Sequence, residues 1–368
     1  MSEEKKPGWG TATTKVEPNN LVVRGYPLAQ LIEHSKLLET AHLLIVGELP
    51  SADQLAAHGK AAHEAAMKPA PEVVRHEGED ISAALGASLL MDAELFKVST
   101  EGEDGPVNKT LFALGRVARY LAYLLGNEAA LDSASADEPF GNLIYRALTG
   151  ETQIDEKRGL LLEAMITACV DHGVTPPSCQ AGMIAASVRA DYSMSLCSGV
   201  GAITDVHGGA GGKAASFFLK VKAKSDKDGI SVEEATKALV AEYNETKKRI
   251  QGLGHRVHSE DPRRDILWKR AEEWGMAGKC VEASKLVTDI FAAAKGKKLP
   301  INVDGVIGAI IADMGLNVDL AKAVFVFGRI VGLSGHYFEE LATQKPMRPI
   351  DFKAAVYEGK ADRDYPAS

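Results

Sequence analysis

The stretch LGHRVHSEDPRRD, residues 253–265, contains two histidines and three arginines together with a glycine near its start and an Asp-Pro step near its end. Such a stretch is either a solvated loop between helices or a site for a ligand with several negative charges. The formal net charge of the chain is −8, which disfavours a general attraction to nucleic acid or to an acidic membrane. A basic cluster in an acidic chain therefore indicates a local pocket, with His255, His258, Arg263 and Arg264 as candidates.

Further ionisable residues stand at glycine- or proline-marked junctions or inside an apolar helix. His172 precedes a Thr-Pro-Pro turn, His207 opens a glycine-rich stretch, and Asp304 is followed by a glycine. Arg329 lies in an apolar helical segment and Arg348 lies in KPMRPID. Structural roles stay open for these residues: His172 could cap a helix, Asp304 could be an N-cap, and Arg329 could form a buried ion pair.

Several common kinds of site do not fit the sequence. HRVH (255–258) has no nearby third ligand, and neither HExxH nor a Cys–His grouping occurs, so no metal site is predicted. GxGxxG is absent, HGGAGGK lacks the Ser or Thr that ends a phosphate-binding loop, and Ser178 lacks the GxSxG elbow. Histidines, one carboxylate and several arginines remain. That set suits proton abstraction next to a carbonyl, with arginines that hold a polycarboxylate.

Helical periodicity dominates the segments that must position these residues. Apolar residues recur at three- and four-residue spacing in 28–50, 108–126, 157–170, 180–203, 231–250, 282–296 and 321–341. Ser231 and Glu234 form a capping-box pattern, and residues 16–26 are the best candidate for a short extended ribbon. The pattern predicts an all-α protein with many packed helices.

The bulk composition sets the class of protein. The 368 residues suffice for a large core in two lobes. The four cysteines form no CxxC pair, which suits reduced thiols, and the N-terminus MSEEKKPGWG lacks the apolar core of a signal peptide. No apolar stretch approaches the roughly 20 residues that span a bilayer. These features predict a cytoplasmic protein that binds neither membrane nor nucleic acid.

Taken in chain order, the motifs resemble those of the citrate synthase superfamily. RGYPLAQLIEHSKLLETAHLLIVGELP is similar to the family's N-terminal signature, DVHGGAGGKA to its LHGGAN segment, and GLGHRVHSEDPR to its GFGHRVY…DPR segment. LPINVDG, GRIVGLSGHYFEE and MRPIDF resemble the three family segments that follow. The resemblance covers most of the chain and implies a mainly helical fold.

The resemblance implies a role for each matched residue. Asp304 would remove a methyl proton from acetyl-CoA, and His207 would hold the oxygen of the enolate. His255 would polarise the ketone of oxaloacetate and protonate it. Oxaloacetate would be bound by His172, Ser178, Arg263, Arg329 and, from the other subunit of a homodimer, Arg348. The resemblance gives no role to His258.

The family also predicts how coenzyme A and the domains are arranged. No cofactor would be bound permanently, because the CoA thioester is a substrate. The backbone of Gly252, Leu253 and Gly254 would face its adenine, and Lys297 would reach its phosphates. Residues 1–207 and 316–368 would form a large domain and 208–315 a small one, with closure about glycines near His207.

Departures from the family pattern keep alternative functions open. DHGVTPPS replaces DHE.NAS and NVDGVIG replaces NVDFYSG, and both resemble citryl-CoA lyase and the related module of ATP-citrate lyase. The loop from His255 is one residue shorter than usual, which leaves Arg263 and Arg264 as alternatives. The helical section at 70–150 and the retained His207 favour citrate synthase. Citryl-CoA lyase is the main alternative, followed by 2-methylcitrate synthase and a non-catalytic CoA-binding protein.

Overall fold

The computed structural model describes residues 9–76, 78–348 and 358. Its helices are α1 Leu28–His34, α2 Leu37–Val46, α3 Ala52–Ala66, α4 Ile81–Met91, α5 Ala93–Lys97, α6 Gly105–Leu125, α7 Glu128–Asp132, α8 Phe140–Thr149, α9 Glu156–Thr167, α10 Pro177–Ser187, α11 Tyr192–Gly201, α12 Ala210–Asp228, α13 Val232–Glu245, α14 Arg264–Glu273, α15 Lys279–Lys295, α16 Val303–Asp313 and α17 Leu320–Thr343. The all-α prediction is confirmed, as is the capping box, in which the Ser231 hydroxyl accepts from the backbone N–H of Glu234.

The N-terminal ribbon is a small antiparallel sheet of β1 Thr14–Glu17, β2 Asn20–Val23 and β3 Tyr26–Pro27. Asn19 forms the turn between β1 and β2 with a φ of 59°, a left-handed conformation that asparagine tolerates better than most residues. This hairpin confirms the extended segment predicted for 16–26.

Two predicted helices are each divided in the structure. The segment 28–50 forms α1 and α2, because Ser35 and Lys36 are extended and the Glu39 carboxylate accepts from the Lys36 amide to begin a new helix. The segment 180–203 forms α10 and α11, which are separated at Arg189, where φ is +61°. Periodicity does not detect such breaks, since the apolar spacing resumes beyond each of them.

Two groups of helices position the site. α12, α13, α15 and α16 pack on one another, and α17 packs against α2, α6, α9, α10 and α11 through the core. A Cβ on Gly328 would lie 2.4 Å from the carbonyl oxygen of Ile166, so glycine allows α17 to approach the end of α9 and carry Arg329 beside it. Among the described residues, no helix is long and apolar enough to cross a membrane.

Candidate active site

A cavity of about 570 Å³ opens where the start of α10, the 204–208 turn, the 254–257 loop and the N-terminus of α16 face α17. The fold brings to this one cavity most of the ionisable residues predicted from separate motifs. They are His172, His207, His255, Arg263, Asp304 and Arg329.

Asp304 lies in the first turn of α16 and lines the cavity. It is not the N-cap, which was the alternative structural role, because Asn302 takes that position and its Oδ1 accepts from the N–H of Gly305 at 3.2 Å. Burial raises the pKa of Asp304 to about 6, although Arg263 and Arg329 oppose the shift. A carboxylate with this pKa is a stronger base than an exposed aspartate and is still ionised at neutral pH.

His207 ends a tight turn in which its backbone N–H and C=O both pair with Thr204. Its Nε2 lies 2.9 Å from the Oγ of Ser178, which accepts from Nη1 of Arg329 at 3.1 Å. The hydroxyl accepts from Arg329, and its hydrogen can donate to Nε2. In that arrangement the neutral His207 ring carries its proton on Nδ1. Burial lowers the pKa of His207 to about 4, so the ring is neutral.

The loop itself fixes the tautomer of His255. The backbone N–H groups of Val257 and His258 both donate to its Nδ1, at 3.1 and 3.0 Å. A backbone amide cannot accept, so the proton of the neutral ring must be on Nε2. Burial lowers the pKa of His255 to about 4, and the ring is therefore a neutral donor at neutral pH.

His172 lies against His258, to which the sequence assigned no role. Their Nε2 atoms are 3.1 Å apart, and His258 is buried, with 2% of its surface exposed. Burial lowers the pKa of His172 to about 3, with Arg263 as the next cause. Sequence reasoning missed His258 because nothing in HRVH indicates that the chain folds back onto residue 172.

The two arginines of DPRR occupy different environments. Arg263 is 2% exposed, lines the cavity and donates to both oxygens of Asp261 at 2.8 and 2.7 Å. Arg264 contacts the exposed carboxylates of Glu260 and Asp265. Arg263 is thus the one placed to meet a ligand in the cavity.

Arg329 and Arg348 also differ in their surroundings. Arg329 is 2% exposed and donates to Ser178 and to the Cys169 carbonyl, and no carboxylate of the described residues accepts a hydrogen bond from it. Burial lowers the pKa of Arg329, and the nearby Asp171 carboxylate opposes that shift. Arg348 binds the Glu340 carboxylate at 2.5 Å and lies over the Trp9 ring, away from the cavity of its own chain. Its entry into a partner's site stays a prediction.

Of the three residues predicted to face coenzyme A, Gly252, Leu253 and Gly254, only Gly254 lines the cavity. Leu253 pairs with Ile301 as an isolated antiparallel bridge, and the Gly252 carbonyl accepts from the Asn302 amide at 2.9 Å. Gly252 has a φ of +82°, and a Cβ there would lie 2.5 Å from Cα of Gly305, so a side chain is excluded at this crossing.

Two further basic residues, Arg256 and Lys297, differ in their position relative to the cavity. Arg256 lines the cavity although sequence reasoning overlooked it; its position directly after His255 in GLGHRV was the available signal. Lys297 is exposed and does not line the cavity, so its contact with phosphates stays a prediction.

The fold supplies a third histidine to the HRVH pair. One ring nitrogen from each of His172, His255 and His258 lies within 4.8 Å of the others, a spacing that a metal ion could bridge. The two-histidine pattern gave no sign of this cluster. The predicted absence of a metal site stays a prediction.

Together these groups suit one kind of chemistry. A half-buried carboxylate with a raised pKa shares the cavity with two neutral histidines, while buried guanidinium groups can hold an anionic acceptor. Preorganised donors of this kind stabilise the charge that develops on oxygen when a proton leaves the neighbouring carbon. The arrangement can form an enolate and direct it at a carbonyl.

Comparisons with known proteins agree with this geometry. The family model described as citrate synthase, C-terminal domain, matches residues 7–350. The citrate synthase of Haloferax volcanii is 28% identical, over 95% of this chain and 92% of its own. The citrate synthase of Thermoplasma acidophilum, solved with carboxymethyl coenzyme A and oxaloacetate, superposes with a TM-score of 0.79 at 22% identity, over 99% and 97% of the two chains. Citryl-CoA lyase from Hydrogenobacter thermophilus gives a TM-score of 0.51 at 24% identity, over 97% of each chain. The family match spans nearly the whole chain, and this protein belongs to the citrate synthase family.

Proposed function

We propose that this protein condenses acetyl-CoA with oxaloacetate to form citrate. The observation that carries the proposal is the shared cavity of Asp304, His207 and His255, in which the carboxylate has a raised pKa and both rings are neutral. The buried Arg263 and Arg329 line the same cavity, and their guanidinium groups suit a dicarboxylate ligand.

The proposed first step is enolate formation. The Asp304 carboxylate takes a proton from the methyl carbon of acetyl-CoA, and the electron pair moves onto the thioester oxygen. The Nδ1–H of His207 donates to that oxygen, and the Ser178 hydroxyl keeps the proton on Nδ1. Removal of one preorganised donor of this kind typically costs about 100- to 1000-fold in rate.

The proposed second step forms the carbon–carbon bond. The enolate carbon attacks the ketone of oxaloacetate, whose oxygen takes the proton from Nε2 of His255. Arg263, Arg329 and His172 hold the carboxylates, and such orientation can supply roughly 7–11 kcal/mol of a barrier. Water then cleaves the thioester of citryl-CoA to release citrate and coenzyme A.

Citryl-CoA lyase is the second candidate, because the chain has DHGVTPPS and NVDGVIG in place of the usual synthase motifs. Gly305, the residue after the base, packs against the carbonyl of Gly252, where a Cβ would lie at 2.8 Å. The common synthase motif has phenylalanine at this position. The same residues would then run the carbon–carbon step in reverse and release acetyl-CoA and oxaloacetate from citryl-CoA.

Two parallel assays test the direction of the reaction. The first follows free coenzyme A released from acetyl-CoA and oxaloacetate; the second follows oxaloacetate released from synthetic citryl-CoA. Release of coenzyme A in the first with slow cleavage in the second supports the synthase. Fast cleavage without net condensation supports the lyase, and replacement of acetyl-CoA by propionyl-CoA tests 2-methylcitrate synthesis. Inactivity in every assay would favour a non-catalytic CoA-binding protein.

A homodimer with Arg348 in the partner's site is part of the proposal. α4 packs against α11 and α11 against α10, and these helices expose apolar side chains. They are Leu90, Met91, Ile184, Val188 and Met194. Mixed dimers of Asp304→Ala and Arg348→Ala chains would contain one intact site, so activity should return on mixing. If the mixture stays inactive while each variant is dimeric, Arg348 does not act across the interface.

The proposed domain division follows the packing of α12 to α16. Residues 208–315 would close on the remainder (1–207 and 316–368), although 1–8, 77 and most of 349–368 lie outside the described residues. Gly208 has a φ of +75° beside the Phe325 ring and is the proposed hinge position. Scattering with and without oxaloacetate and a CoA analogue should show a more compact particle when both are bound. The cytoplasmic location stays a prediction.

A further inference from the structure

The N-terminal hairpin forms a hydrogen bond with the His258 ring. The backbone N–H of Asn19, in the β1–β2 turn, donates to Nδ1 of His258 at 2.9 Å. The Asn19 side chain also binds the adjoining loop, since its Oδ1 accepts from the amides of Ser259 and Glu260, both at 2.9 Å. The β1–β2 turn, although distant in sequence, is therefore hydrogen-bonded to the loop that contains His255 and Arg263.

The contact with Asn19 determines which nitrogen of His258 carries a proton. A backbone N–H can only donate, so Nδ1 must be bare and the proton of the neutral ring must be on Nε2. That Nε2 is the atom 3.1 Å from Nε2 of His172. The ring centroids are 5.2 Å apart at an interplanar angle of 63°, so both nitrogens lie close to the line that joins the rings, as an N–H···N bond requires.

His172 must therefore accept from His258. Its Nε2 is bare, and its proton is on Nδ1, the nitrogen left for a ligand in the cavity that His172 lines. We propose that His258 is a positioning residue. The Asn19 amide fixes the tautomer of His258, and the hydrogen bond from His258 then fixes His172 in the tautomer that donates to substrate through Nδ1–H. The role of His172 toward oxaloacetate rests on the proposed function, whereas the tautomer does not.

A bridging metal ion is the competing explanation for three close histidines. A neutral histidine that binds a metal through one nitrogen keeps a proton on the other, which donates to a second-shell acceptor. The Nδ1 atoms of His255 and His258 instead face backbone N–H groups, which cannot accept. If both rings bound a metal through Nε2, each would have to lose its ring proton, or else move it to Nδ1 and break the hydrogen bond from the backbone N–H. The contacts thus favour a hydrogen-bonded chain.

Nitrogen-15 NMR of histidine-labelled protein tests the tautomers directly, because protonated and bare ring nitrogens have different shifts. In the wild-type protein we expect His172 protonated at Nδ1 and His258 at Nε2. His258→Leu removes the donor, so His172 should populate the Nε2–H form. His258→Gln places an amide donor at the same reach and should restore the Nδ1–H form. Ser259→Ala is the matched control, since it removes hydrogen bonds to Asn19 from the neighbouring residue but none to His258.

Kinetics separate positioning from general loosening of the loop. Loss of a correctly oriented donor should raise the KM for oxaloacetate by about tenfold in His258→Leu, with a smaller change in kcat. His258→Gln should recover most of the affinity, and Ser259→Ala should leave the KM unchanged.

Three results would overturn the proposal. They are a His172 protonated at Nε2 in the wild-type protein, a tautomer or KM that does not respond to His258→Leu, and stoichiometric zinc in the purified protein that His258→Leu releases. If the protein fails to turn over oxaloacetate at all, the proposed function fails, while the NMR result still decides the tautomer.

Discussion

The protein contains two sets of aspartate and histidine, one buried and one lining the cavity, that behave in opposite ways. In the first, Asp171 and His336 are in contact, with Nε2 of the ring 3.1 Å from both carboxylate oxygens. His336 holds the pKa of Asp171 well below its usual range, and Asp171 holds the pKa of His336 well above its own. Both groups are therefore charged.

In the second set, Asp304 shares a cavity with His207 and His255, and no hydrogen bond joins it to either ring within the described chain. Burial then acts on each group separately: it raises the pKa of the aspartate to about 6 and lowers those of the histidines to about 4. Contact converts an Asp–His set into a structural ion pair, whereas separation keeps a base and neutral donors available to a substrate. Asp171 and His172 are neighbours in sequence, yet Asp171 belongs to the ion pair while His172 lines the cavity.

Removal of the Asp304 carboxylate should have the largest effect on activity. Asp304→Ala is expected to lower kcat by about 100- to 10,000-fold, the contribution typical of a positioned general base. The free energy of unfolding should not fall, because the carboxylate is desolvated without a direct partner in the described chain. Steady-state kinetics and denaturant titration measure the two quantities, and a variant with wild-type kcat would refute the assignment of the base.

Removal of one member of the contacting pair should affect stability first. His336→Leu leaves the Asp171 carboxylate buried without its cation and should reduce the free energy of unfolding by about 3–5 kcal/mol. The exposed contact between Lys237 and Glu233 is a matched comparison, and Lys237→Ala should change the unfolding midpoint little. A His336→Leu protein as stable as wild type would show that the pair is not the structural element inferred from its contacts.

Replacement of Arg329 tests whether the cavity needs an arginine with no carboxylate partner. Arg329→Lys keeps the charge but loses the second donor, so the KM for oxaloacetate should rise roughly 10- to 100-fold, which corresponds to about 1.5–3 kcal/mol. Arg264→Lys, at the surface beside the cavity loop, is the control and should leave the KM nearly unchanged. Equal effects of the two substitutions would mean that Arg264 contributes to binding as much as Arg329 does. The position of Arg329 in the cavity would then not explain its effect.

The sequence predicts the residues of the separated set better than those of the contacting one. His207, His255, Asp304 and Arg263 stand in motifs whose glycines and prolines mark junctions, and the structure brings them to one cavity. His336 stands inside an apolar helix, where only its three-dimensional contact with Asp171 distinguishes it from a core residue. Pairing across this distance in sequence leaves no local pattern.

Helix boundaries and histidine tautomers are also features that the sequence pattern does not predict. Periodicity predicted most of the long helices, yet it joined α1 to α2 across Ser35 and α10 to α11 across Arg189, because backbone dihedrals do not change the apolar spacing. The role of His258 depends on the amide of Asn19, which reaches it only after the hairpin has folded onto the loop.

The pH dependence of the rate should show the smallest of these effects. Asp304 must be deprotonated to act as a base, so a pKa raised to about 6 means that kcat/KM is lost as the pH falls through about 6 and is constant above it. His207 and His255, with pKa values lowered to about 4, stay neutral over this limb and add no second protonation. The acid limb should therefore follow a single proton, as measured by kcat/KM for acetyl-CoA at saturating oxaloacetate. Asp304→Glu, which keeps a carboxylate at a displaced position, should lower the rate but still show one acid limb. A limb that fell with two protons near pH 6 would mean that a histidine of the cavity titrates with the base, and the separation of the two sets would not hold.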